Sequence, residues 1–142
     1  MTGFLLDTNV PSELTRPQSD PHVEDWLDAV DDERLFFSVV SLGEMLKGLT
    51  VLPASRRRQE LQHWIDGTLR PWFAGRMLPV TERIAERWGV LAGECQLRGR
   101  GLSVADGLIV ATALEHGLTV ATRNVRDFVD LGVAVFDPWS AA

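Results

Sequence analysis

Two residue types are almost missing from this sequence: cysteine occurs once, as Cys95, and lysine once, as Lys47. A lone cysteine excludes an internal disulfide framework and fits a reducing compartment, the cytoplasm. Long apolar runs are missing as well. The longest strongly apolar stretch, Gly107 to Leu114, falls far short of the roughly 20 residues that a spanning helix needs, so no membrane association is expected. The opening MTGFLLDTNV has no basic region and meets an acid at Asp7 after a short apolar run, a poor secretory signal. No G-x-x-x-x-G-K-[ST] and no G-x-G-x-x-G follows a strand, which leaves nucleotide-cofactor enzymes without support. Internal repeats, low-complexity segments and a dividing linker are also lacking, so one domain over residues 1–142 is expected.

What is present is an ordinary globular composition, 45% hydrophobic and 24% charged. The net charge of −6 argues mildly against nucleic acid, since phosphate favours basic surfaces. A cluster of carboxylates neutralised by metal ions would distort that sum, however. The positive charge is almost wholly arginine, whose planar fork suits phosphate.

Strand and helix patterns alternate along the chain. Gly3 to Leu6 reads as a buried strand ending at Asp7, and Pro11, shortly after Asn9, allows a helix to begin. Val23, Trp26, Leu27 and Val30 recur at helical spacing, and Leu35 to Val40 (LFFSVV) reads as a second buried strand. Ser41 then opens a helix through Leu49. After the break at Pro53, Leu61, Trp64, Ile65, Leu69 and Trp72 line a long helix. A short strand is expected in Met77 to Val80, and the stretch over residues 70–79 is expected to be a flexible connection. Ile84, Trp88, Leu91 and Cys95 mark the next helix, and Ser103 to Glu115 a central one closed by His116-Gly117. Leu118 to Ala121 and Val133 to Phe136 supply the last strands. This order calls for an α/β sandwich with a mostly parallel sheet.

In such sheets ligands collect beyond the carboxyl ends of the strands. Asp7 lies at one such end. Glu44 and Asp106 lie in what the spacing makes the first turns of two helices, and Asn124 and Asp127 follow another strand. Each has a structural explanation. Ser41 to Glu44 has capping-box spacing, Ser103 to Asp106 and Asn124 to Asp127 repeat it, and Asp7 can cap the turn before Pro11. As a set they offer hard oxygen donors without histidine or cysteine, suited to Mg²⁺ or Mn²⁺ rather than zinc. Capping and metal binding are compatible.

The segments FLLDTNV (Phe4 to Val10), SLGEMLKG (Ser41 to Gly48), SVADGLIVATALEHGLTVATRN (Ser103 to Asn124) and VFDPW (Val135 to Trp139), in this order and spacing, resemble a PIN domain. The likeness is to VapC-type toxins, in the FitB-like subgroup. It implies a PIN-like three-layer α/β/α sandwich with a central, mostly parallel sheet. It also implies a cytoplasmic, Mg²⁺- or Mn²⁺-dependent endoribonuclease that leaves a 3′-hydroxyl and a 5′-phosphate. A cognate VapB-type antitoxin would inhibit it, and a homodimer is the expected assembly. On this resemblance Asp7, Glu44 and Asp106 are the catalytic and metal-binding acids, Thr8 orients the first carboxylate, and Thr122 lies at the site edge. At the fourth position Asn124 keeps an oxygen ligand without charge in a supporting place, and Asp127, the nearest remaining acid, is the fourth catalytic candidate. Arg98, Arg100 and Arg123 are the candidate contacts to RNA. A degenerate PIN domain serving as a binding or regulatory module is the alternative. A phosphatase would need a second acid where Asn9 stands.

Other features carry less. Arg56 to Arg58 reads as a solvated helix face, and the tryptophans at helical spacing read as core or partner contacts. His22, His63 and His116 are scattered, and Cys95 reads as inert packing.

Overall fold

The structure is a computed structural model and describes residues 2–140. Five strands form its centre: β1 (Phe4–Leu6), β2 (Leu35–Ser38), β3 (Met77–Leu78), β4 (Thr119–Ala121) and β5 (Val135–Phe136). They lie in the order β3-β2-β1-β4-β5, and every pairing is parallel. Around them stand α1 (Asn9–Glu13), α2 (Pro21–Ala29), α3 (Val39–Val51), α4 (Arg56–Trp64), α5 (Arg70–Trp72), α6 (Glu82–Leu97) and α7 (Val104–His116).

Period-two alternation along the strands feeds two separate cores, which is why helices must cover both faces of the sheet. Leu6, Leu35, Phe37 and Ala121 meet Val10, Val23, Leu27, Leu49, Ile65, Leu69 and Phe73 on one face. Leu5 and Val120 meet Cys95 of α6, Ile109, Val110 and Ala113 of α7, and then Phe128 and Leu131 on the other. The result is the α/β/α layering that the pattern of elements predicts. Each fully buried Leu, Ile or Phe contributes about 1.5–3 kcal/mol. The ion pairs all have at least one partner 43% or more exposed, where such pairs contribute about 0–1 kcal/mol. Packing, not surface charge, holds the fold.

Three local expectations need correction. The helix after β2 begins at Val39, not at Ser41. Ser38, the last strand residue, still has extended backbone, and its Oγ accepts the Val40 N–H at 3.0 Å. Ser41 is therefore inside the helix, fully buried with its hydroxyl unpaired, and Glu44 sits in the second turn rather than the first. Asn124 makes no side-chain cap, because only a short 3-10 turn, Val125–Asp127, follows it. The connection over residues 70–79 is packed: Phe73 is wholly buried and stacks on Phe37 with ring centroids 5.3 Å apart. The long helix from Arg56 runs on through a π-helical turn, Ile65–Leu69, into α5. That wider turn immediately precedes the segment with Pro71, which has no N–H to give the ladder.

The start of α7 agrees with the spacing. Ser103 Oγ accepts the Asp106 N–H at 3.1 Å, and Gly117 closes the helix in the left-handed region at φ 64°.

Candidate active site

The chain lays β2 and β3 to one side of β1, then β4 and β5 to the other. The order reverses between β1 and β4, and the carboxyl ends of strands at such a point are the usual ligand position in an open parallel sheet. Asp7 stands there, directly after β1, with its N–H extending the ladder to the Ala121 carbonyl at 2.9 Å. Thr122 stands opposite, directly after β4, and is fully buried.

These two residues join. The Thr122 hydroxyl donates to Asp7 Oδ2 at 2.8 Å, and the Thr8 N–H donates to Asp7 Oδ1 at 2.9 Å. Thr122 Oγ1 in turn accepts the Asn124 N–H at 3.0 Å. Asn9 completes the brace. Its Nδ2 reaches Asp7 Oδ2 at 3.4 Å and Thr122 Oγ1 at 3.3 Å, and its Oδ1 accepts the Arg123 N–H at 3.3 Å. Sequence reasoning treated Asn9 only as the residue before a helix and missed this role. Its place beside Asp7 in DTN was the available signal.

Glu44 arrives on α3, Asp106 in the first turn of α7, and Asp127 in the 3-10 turn after β4. The helices α3 and α7 pack together, which brings Glu44 within range of the Asp106 charge. The electrostatics show the convergence. Burial, foremost, holds the Asp7 carboxyl above its ordinary range. The Thr122 and Thr8 hydrogen bonds oppose that rise, and the Asp127 charge adds to it. Desolvation also raises Glu44, with the charges of Asp7 and Asp106 adding and Lys47 opposing. For Asp106 desolvation leads again, followed by Asp7; Ser103 and Arg100 pull downward, and Asp127 pushes upward. Asp7, Glu44 and Asp106, from three distant segments, are thus each raised in part by the charge of an acid remote in the chain.

Such a set is relieved by protons or by a cation. The donors are all oxygen, which suits Mg²⁺ or Mn²⁺. Among the described residues, no three His, Cys, Asp or Glu side chains are gathered closely enough to hold an ion by themselves. That openness fits Mg²⁺, which keeps several waters and takes only one or two carboxylates.

Two grooves flank the acids. One, of about 310 Å³, is bordered by Thr8 and Glu44 at one end and by Met45, Leu61, Trp64 and Ile65 beyond. The other, of about 400 Å³, is polar and includes Arg123, Arg126, Asp127 and Asp137. Arg123 is exposed in its wall, and its guanidinium lies 5.4 Å from the Trp139 ring centre. Asn124 is exposed there too. Arg98 and Arg100 do not reach into this groove as free cations; both pair with Asp130. None of the three histidines belongs to the set of acids, and Cys95 is buried in the second core.

Known proteins share both the sequence and this architecture. The family profile described as PIN domain matches residues 4–133. The chain is 38% identical over 136 residues to Toxin FitB of Neisseria gonorrhoeae, covering 96% of this chain and 98% of that protein. It is 37% identical over 139 residues to VapC ribonuclease Y4jK of Sinorhizobium fredii, covering 98% and 99%. The solved structure of FitAcB from Neisseria gonorrhoeae superposes with a TM-score of 0.89 at 38% identity, over 97% of this chain and 99% of that one. DNA-bound VapBC from Salmonella typhimurium shares the fold, with a TM-score of 0.76 at 24% identity over 97% and 99% of the two chains.

Proposed function

The chain belongs to the PIN-domain family, and from that premise we propose that it is a toxin of the VapC type, a divalent-metal-dependent endoribonuclease held in check by a cognate VapB-type antitoxin. One observation carries the reading. Asp7, Glu44 and Asp106 each have the carboxyl raised first by burial and then by the charge of another acid: Asp127 for Asp7, Asp7 and Asp106 for Glu44, and Asp7 and Asp127 for Asp106. A protein gains nothing in stability from such crowding. Its use is to attract a cation and the phosphate that the cation carries.

Asp7 and Asp106 would hold Mg²⁺ or Mn²⁺, and the bound ion would supply Lewis acidity, lowering the pKa of an attacking water and bracing the leaving oxygen. The residues of the chain do the rest. Thr122, Thr8 and Asn9 fix the rotamer of Asp7 by filling the lone pairs that face the protein. Glu44, the most exposed of the three, positions the water and accepts its proton; its raised pKa brings it closer to a working base. Asp127 adds negative charge at the open side. Because the nucleophile is water, the 2′-hydroxyl of RNA takes no part, and the products are a 3′-hydroxyl and a 5′-phosphate.

The relatives frame the partners. FitAcB and VapBC are complexes by their names, and an antitoxin is the partner we assign to this chain. The apolar groove beside Glu44 suits a protein segment, and the polar groove with Arg123 and Arg126 suits the RNA backbone. A homodimer is the assembly proposed. No helix of the described residues is long and apolar enough to cross a membrane, and the site of action proposed is the cytoplasm.

The test is substitution without unfolding. Asp7→Asn and Asp106→Asn keep the shape and remove the charge. Each should abolish Mn²⁺-dependent RNA cleavage and growth arrest while the circular dichroism spectrum is unchanged. Either variant retaining full cleavage refutes the assignment.

A further inference from the structure

Asp130 is the one non-glycine among the described residues with positive φ, 69°. The left-handed region costs most residues roughly 1 kcal/mol, though Asp tolerates it better than most. Two arginines enclose its side chain. Arg98 Nη1 pairs with Oδ2 at 3.3 Å and Arg100 Nη2 with Oδ1 at 3.2 Å, while Arg98 Nη2 donates to the Asp130 main-chain oxygen at 3.0 Å. Arg100 reaches further: Nη2 donates to the main-chain oxygen of Asp127 at 2.9 Å, and Nη1 donates to Gly101 O.

Stability does not account for this clasp. Asp130 and Arg98 are each 47% exposed, and exposed pairs contribute about 0–1 kcal/mol, little more than the backbone conformation costs. Position accounts for it better. Arg98 and Arg100 belong to the loop that leads from α6 to Ser103 and so into the turn that carries Asp106. Asp130 and Asp127 belong to the segment after β4. Phe128 and Leu131 anchor that segment in the second core, but both are apolar contacts on the inner side of the turn. The clasp adds a polar attachment on the outer side, at the main-chain oxygen of Asp127 itself.

We infer that Asp130 is a positioning residue for the nuclease reaction, acting through Arg100 to hold Asp127 in register with Asp106. This rests on the reading of the acids proposed above. With Asp130 in place, the Arg100 guanidinium is directed to a carbonyl and an outer carboxylate. Without it, Arg100 keeps its bonds to the Asp127 and Gly101 carbonyls but loses the carboxylate that fixes its guanidinium, so the polar attachment beside Asp127 loosens.

The experiment is a double-mutant cycle on the full-length chain, with Mn²⁺ and a mixed-sequence pool of single-stranded oligoribonucleotides, read as the single-turnover rate and the half-saturating enzyme concentration. Asp130→Ala should lower the rate about 10-fold or more, the usual scale for residues that orient a metal-site ligand. The half-saturating concentration should stay within about twofold, and the melting temperature within a few degrees. Asp130→Asn, which tolerates the same backbone and keeps an acceptor, should recover part of the rate. Combined with Asp127→Ala, Asp130→Ala should add nothing, because the two act as one unit. A full multiplicative effect in the double variant overturns the inference. So does a loss confined to half-saturation, which would make the arginines simple RNA contacts, and so does a rate that merely tracks melting temperature. Wild-type protein inactive with Mn²⁺ instead refutes the underlying nuclease reading, so the two failures are distinguishable.

Discussion

Thr122 is where the structure makes the most exact demand on the site. Its hydroxyl is fully buried, donates to Asp7 Oδ2 at 2.8 Å and accepts the Asn124 N–H at 3.0 Å. Thr122→Val keeps the shape and deletes both bonds together with the longer contact from Asn9 Nδ2 at 3.3 Å. A hydrogen bond to a charged group contributes about 1.5–3 kcal/mol, and an orphaned N–H costs about 1 kcal/mol more. Asn124 lies at the surface, so water recovers part of that second amount, and a net loss of about 2–3 kcal/mol is expected. For a domain of this size 1 kcal/mol moves the melting temperature by about 3–4 °C, which gives a fall of about 6–12 °C. The variant also removes a bond that holds the Asp7 carboxyl down. Its pKa therefore rises further, and Mn²⁺ must displace a proton more often to bind. Affinity for Mn²⁺ should fall, and fall further as pH is lowered. Urea unfolding without metal and calorimetric Mn²⁺ titration at two pH values measure the two effects, with Thr122→Ser as the control that keeps the hydroxyl. A Thr122→Val protein within about 0.5 kcal/mol of wild type, with unaltered Mn²⁺ affinity, would show that the Thr122–Asp7 bond does not organise the site.

Metal and pH should act on the same carboxylates. Asp7, Glu44 and Asp106 all have folded pKa values raised above the ordinary range, so the folded state binds their protons more tightly than the unfolded chain does. Their contribution is fully present below the unfolded values near 4 and is lost as pH rises through the folded values. With a chelator present, melting temperature should therefore fall on their account as pH rises from about 4 through the folded values, and Mn²⁺ should raise it more at the upper end of that range than at the lower. An equal or smaller metal effect at the higher pH contradicts the coupling. A second prediction concerns Gly107, beside Asp106. A Cβ there would lie 2.8 Å from Trp88 Cδ1, 2.9 Å from Trp88 Nε1 and 3.2 Å from Leu102 Cδ2. Overpacking costs about 1–3 kcal/mol and outweighs the roughly 1 kcal/mol gained in helix propensity. Gly107→Ala should be destabilised in urea and should cleave RNA more slowly, since α7 must move from α6. A more stable variant with full activity would show that the indole yields instead.

How far the site was legible depended on the kind of signal. The strands and α6 carried their periodicity openly: Ile84, Trp88, Leu91 and Cys95 do form the inward face of α6. The start of α3 was misread because two serines, Ser38 and Ser41, each stood before an apolar run, and sequence alone did not say which still had extended backbone. Asn9 was overlooked because its partner Thr122 is 113 residues away. The arginines of RGRG read as free cations because Asp130, which pairs with both, is remote in the chain.

By itself, then, the sequence determined the alternation of strands and helices, and with it a parallel sheet covered on both faces. Those follow from short-range periodicity, which neighbouring residues set between them. It also supplied acids at helix starts and strand ends that were indistinguishable, locally, from caps. Only the tertiary structure decided that Asp7, Glu44, Asp106 and Asp127 come within range of one another's charges, because strand order, not chain order, places β1 beside β4 and α3 packs against α7. It alone decided which groups brace them. A buried carboxylate needs donors aimed at particular oxygens, and that aim is a property of three-dimensional packing rather than of spacing along the chain.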